Sequence, residues 1–109
     1  MKNPFEKGPE RIPTKEKVME AISRLTETSE VVRELSDEQG LYLLEAKVPG
    51  DEPGEFVQYE YIRKGRYPDG NESSATAIHI VYYEGEAPVG GHNVADYDQE
   101  TGEWKVEEE

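Results

Sequence analysis

The 109-residue chain has no cysteine, which excludes disulfides, thiolate metal sites and cysteine nucleophiles. Apolar residues make up only 34% of it, with a single Trp, two Phe and two Met. No apolar run approaches the ~20 residues of a membrane span, and the opening Met1-Lys2-Asn3-Pro4-Phe5 lacks the apolar stretch of a signal peptide. A cytoplasmic protein without membrane contact is the expectation. Neither a phosphate-binding glycine loop nor a nucleophile elbow occurs, and Ser73-Ser74 sits in a polar stretch without either pattern. No cofactor motif is found.

Positive charge is scarce in the later part of the chain. Residues 1–35 balance seven Lys/Arg against seven Glu. Residues 36–109 hold five cations (Lys47, Arg63, Lys64, Arg66, Lys105) against eighteen Asp/Glu, so the whole formal charge of −13 lies there. Acid on this scale argues against nucleic acid as a direct ligand, because phosphate contacts need clustered cations, and against anionic membranes.

The length suits one domain. High charge with little apolar content leans toward disorder, but seven Tyr and several alternating Val/Ile/Tyr runs favour a folded body. Residues 1–13, with Pro4, Gly8, Pro9 and Pro13, read as a flexible arm, residues 14–107 as the domain and residues 108–109 as an acidic tail. Thr14 suits a helix N-cap. Val18, Met19, Ile22, Leu25 and Thr26 then recur at helical spacing, which predicts an amphipathic helix of three to four turns. Residues 30–35 read as a strand or as further helix, with the β-branched pair Val31-Val32 favouring the strand.

The rest alternates with period two. Tyr42, Leu44, Ala46 and Val48 line one face of a strand at 41–48; Val57, Tyr59 and Tyr61 line one face at 55–63; Ile78, Ile80 and Tyr82 line one face at 75–83. Glu84-Gly85-Glu86 turns the chain into a strand at 87–97, with a bulge expected at Gly90-Gly91. Asp98-Gln99-Glu100-Thr101-Gly102 then forms a hairpin loop before a last strand carrying Trp104 and Val106. Short connections throughout make the sheet antiparallel. The predicted fold is therefore α+β: one N-terminal helix packed on one face of a meander sheet of four to six strands, in two layers.

Candidate chemistry is sparse. His79 and His92 lie on the two strands joined by the 84–86 turn, where simple pairing would set His79 opposite position 91. With Asp96 they could serve as a catalytic or metal-binding group, and the plainer reading is two ordinary sheet histidines. The loop starting at Asp96 invites a calcium reading, but the sixth position, which needs Gly, is Thr101. Arg63, Lys64, Arg66 and Tyr67 surround Gly65 and could grip a phosphate or carboxylate, or simply neutralise nearby Glu. Adjacent Tyr82 and Tyr83 point to opposite faces, which puts at least one Tyr on the sheet side away from the helix, and Tyr83 is a candidate contact residue.

The closing run, with Asp98-Gln99-Glu100-Thr101-Gly102 and Trp104, resembles the final hairpin of PepSY-type domains, which also pair a helix with antiparallel strands. The resemblance is confined to residues 94–106, and no reading is built on it. Three readings follow from the residues themselves. The leading one is a non-enzymatic interaction module that engages a basic protein surface, with an inhibitor or nucleic-acid mimic as its sharper form. The alternative is a ligand-binding or enzymatic domain with a pocket between helix and sheet using His79 and His92. The third is a homo-oligomer in which the acid serves only solubility.

Overall fold

Thr14 caps the helix as its position after Pro13 leads one to expect: its hydroxyl accepts the Lys17 backbone N–H at 3.2 Å. In the computed structural model, which describes residues 11–50, 52–65 and 75–107, helix α1 spans Lys15–Ser23. Its nine residues make two and a half turns, shorter than the periodicity predicts. The stop comes where Ser23 turns its hydroxyl back to the Glu20 carbonyl at 2.7 Å and the poor helix formers Thr26 to Ser29 follow.

Six strands succeed one another: β1 (Glu30–Asp37), β2 (Gly40–Pro49), β3 (Glu55–Ile62), β4 (Ala77–Glu84), β5 (Ala87–Asp98) and β6 (Glu103–Val106). They lie in the sheet in chain order, each antiparallel to the next. The fold is α+β, one short helix on a six-stranded meander. Residues 30–35 are strand.

The connections show why the order is sequential. Asp37 accepts the backbone N–H groups of Gln39 and Gly40 at 2.9 and 3.2 Å, closing the first hairpin, and Gly40 takes the positive φ this turn requires. Asp98 does the same for Glu100 and Thr101 at 2.8 and 3.3 Å in the last hairpin. Those N–H bonds hold its carboxylate below the usual range.

The main core cluster lies between α1 and one sheet face, while Leu43, Ile62 and Ala77, on the other face by register, are buried as well. Val18, Ala21 and Ile22 press onto Leu44, Ala46, Tyr59, Tyr61, Ile78 and Ile80, with Trp104 closing the end. Tyr61 is fully buried at the centre and donates its hydroxyl to the Leu41 carbonyl at 3.2 Å. Burial pushes its pKa up. Lys15 reaches Glu34 of β1 at 2.9 Å and Lys17 reaches Glu103 of β6 at 3.0 Å, so the helix is tied to both edge strands. These exposed pairs add little stability beside the apolar contacts.

Two differences from the sequence reading matter below. First, β5 is continuous through Gly90-Gly91; the bulges against β4 fall on either side, at Val89 and Val94. Second, part of the expected arm is docked. Arg11 and Gln99 exchange two hydrogen bonds, from the Arg11 N–H to Gln99 Oε1 at 2.6 Å and from Gln99 Nε2 to the Arg11 carbonyl at 3.0 Å. Pro13 is buried.

Candidate functional site: the second face of the sheet

Directly opposite residues on antiparallel strands share a face, so the register sorts every side chain. Leu44, Tyr61, Ile78 and Ala95 form one transverse row beneath the helix. The adjacent row, on the other face, is Arg33, Glu45, Glu60, His79 and Asn93. No helix or strand among the described residues lies on this second face.

The centre of that row is unusual. Glu45 and Glu60 are cross-strand partners on adjacent interior strands, and both are half-buried. Like charges placed directly opposite are destabilising. Gln58 Nε2 donates to Glu60 Oε2 at 3.4 Å, which offsets only part of the cost. Burial, then the neighbouring Glu45 charge, raise the Glu60 pKa above its ordinary value. On the same face toward the β2–β3 turn, Phe56 and Tyr83 stack with ring centres 4.7 Å apart and planes 6° from parallel. Lys47 Nζ stands 4.2 Å over the Phe56 ring. Burial, followed by the charges of Glu60 and Glu45, raises the Tyr83 pKa. A carboxylate pair next to an aromatic ledge can hold a guanidinium or ammonium group, the acids meeting its charge and the rings its flat or aliphatic part.

The residues singled out from sequence fare differently. Tyr83 is on the second face, as its alternation with Tyr82 requires. His79 lies there too, but it pairs with Asn93, not with position 91, because the turn sets Glu84 opposite Ala87 and the bulge at Val89 advances the register by one more residue. His92 pairs with Ile80 and so projects from the opposite, helix-side face. There it is exposed beside Tyr82, with ring centres 6.2 Å apart, and its Nε2 is 3.8 Å from Glu107 Oε2. The two histidines do not converge. Asp96 is exposed on the second face and accepts a hydrogen bond from Asn93 Nδ2 at 2.7 Å. No group of three or more His, Asp or Glu among the described residues could hold a metal ion.

Arg63 is a correction to the anion-site reading. Its guanidinium forks onto Asp37, with Nη1 to Oδ1 at 3.0 Å and Nη2 to Oδ2, and also donates to the Gly40 carbonyl at 3.3 Å. The side chain is 8% exposed. The Asp37 hydrogen bond raises its pKa, keeping it charged. It fastens the end of β3 to the β1–β2 turn, and its near-complete burial leaves little of it open to a ligand. Lys64 donates its backbone N–H to Thr76 Oγ1 at 3.1 Å. Arg66 and Tyr67 lie outside the described residues.

Sequence reasoning passed over Glu45 and Glu60, although the alternation in both strands places each on the face away from the core. What it lacked was the register across the Pro- and Gly-rich turn. Other described carboxylates are spread over α1 (Glu16, Glu20), β1 (Glu30, Glu34, Asp37), β3 (Glu55), β4 (Glu84), β5 (Asp96, Asp98), β6 (Glu103) and the turns, not ranked along a single face.

The fold and this face define a small two-layer α+β protein with an acid-centred, part-aromatic sheet surface. Comparison with known proteins gives no match to a family model, a curated protein or a solved structure.

Proposed function

We propose that the protein is a non-enzymatic interaction module that seats a basic protein surface on the second face of its sheet. A lysine or arginine of the partner would be held between Glu45 and Glu60, with Phe56 and Tyr83 flanking it. The observation that supports this most is the Glu45–Glu60 pairing itself. Two like charges opposed in the middle of a sheet cost stability in the free protein, and a partner cation turns that repulsion into attraction. The net charge of −13 would speed encounter with a basic partner and make it salt-sensitive.

The test is a capture experiment from lysate at low salt and again at roughly 0.5 M salt, run with three proteins. They are the parent, the Glu45→Gln/Glu60→Gln variant and a charge-matched Glu16→Gln/Glu20→Gln variant altered on the helix. A basic protein held at low salt by the parent and the helix variant, but not by the sheet variant, is the expected result. Equal retention by all three proteins, or no salt-sensitive capture at all, would overturn the reading.

A further inference from the structure

β5 is twelve residues long, yet β6 pairs only with its last four, Ala95 to Asp98. One further bond, from the Glu107 N–H to the Val94 carbonyl at 2.8 Å, ends that pairing. Among the described residues nothing pairs with the outer edge of β5 from Ala87 to Asn93, and all of these residues are exposed. The sheet face at Gly90 is open as well: a Cβ built there meets nothing within 4 Å.

Sheet edges are usually protected by charge, proline or bulges. Here Pro88 and the Val89 bulge guard one end. From Gly90 to Asn93 the only ionisable side chain is His92, and no Lys, Arg, Asp or Glu is present. Acids stand at both ends of this neutral stretch: Glu84 and Glu86 at the β4–β5 turn, Asp96 and Glu107 beside the start of the β6 pairing.

We propose that this edge accepts a short extended segment of a basic partner protein by strand addition, as a seventh strand. Backbone N–H and C=O groups of β5 supply the bonds, and lysines or arginines toward the ends of the segment meet the flanking acids. A second copy of the chain fits poorly. A twofold through Gly90 would bring Glu86 of one copy beside Val94 of the other, and so toward its Glu107, at both ends of the pairing. The basic character of the partner rests on the reading above, but the place of contact does not.

The probe is a seven-residue peptide alternating lysine and valine, added to the full ¹⁵N-labelled chain, with a fully N-methylated analogue as control. Amide shifts and hydrogen exchange are read residue by residue. Binding should slow amide exchange between Gly90 and Asn93 by about tenfold or more, and the analogue should produce no such slowing. Equal binding of the analogue would overturn strand addition in favour of charge alone. Shifts confined to the Glu45, Glu60 and His79 row would also overturn it, while leaving the proposed face intact. No binding of either peptide would overturn strand addition and also count against a basic partner.

Discussion

Glu45 and Glu60 face each other across β2 and β3, half-buried, on the side of the sheet that the helix does not cover. Their cost to the free protein is measurable. Glu60→Gln removes the opposed charge while keeping the shape and the Gln58 contact, and should stabilise the protein by about 0.5 kcal/mol at pH 7.

The pH dependence of that gain follows from the raised Glu60 pKa. A carboxyl with a raised folded pKa binds its proton more tightly when folded than when unfolded. Its contribution to stability is therefore full below the ordinary carboxyl range and is lost as pH rises through the raised value. The parent should gain stability relative to Glu60→Gln on acidification, the two converging near pH 4 and separating toward neutrality. Urea unfolding of both proteins across this range checks it.

Arg63 predicts the opposite sign. Its guanidinium is almost fully buried against Asp37, so Arg63→Met leaves that carboxylate without its partner. The expected loss is roughly 3 kcal/mol, and Arg63→Lys should recover only part because an ammonium cannot reproduce the fork. Thermal melts of the two variants decide it.

Trp104 packs edge-on against Tyr61 and Tyr97, with ring centres 6.1 and 5.1 Å away. Its buried Nε1–H has no hydrogen-bond partner among the described residues. Trp104→Phe gives up area but also removes an unsatisfied donor, so it should cost less than about 1.5 kcal/mol. Trp104→Ala should cost about 3 kcal/mol or more. Chemical unfolding followed by far-ultraviolet dichroism separates the two.

The adjacent glycines of β5 should behave differently. A Cβ on Gly91 would lie 2.6 Å from the Ile80 carbonyl oxygen, whereas one on Gly90 meets open space. Gly91→Ala is expected to destabilise by roughly 1–3 kcal/mol and Gly90→Ala to be nearly neutral or mildly stabilising. Paired denaturation curves test the contrast.

The elements and their facing were legible because they depend on short-range regularities. Period-two alternation placed Leu44, Tyr61 and Ile78 on one side and Glu45, Glu60 and His79 on the other. The single helix had only one place to bury Val18 and Ile22. Thr14 and Asp98 act on backbone groups two or three residues away, so the cap and the last hairpin could be read directly. The candidate site was less legible. Alternation put Tyr82 and Tyr83 on opposite faces without saying which faced the helix, the histidine pairing depended on counting residues through a turn, and a single-residue bulge is enough to change which face a side chain occupies.

By itself, then, the sequence determined an α+β protein with an acidic later part, a meander of hairpins and a defined inner and outer side for each strand. Only the tertiary structure decided which residues stand opposite one another. It separated His79 from His92, drew Arg63 onto Asp37 twenty-six residues away and set Glu45 against Glu60. Local alternation fixes a side chain's face, but register is set by turn geometry and bulges summed over the whole sheet, and ion pairs between distant residues form only once that register is in place.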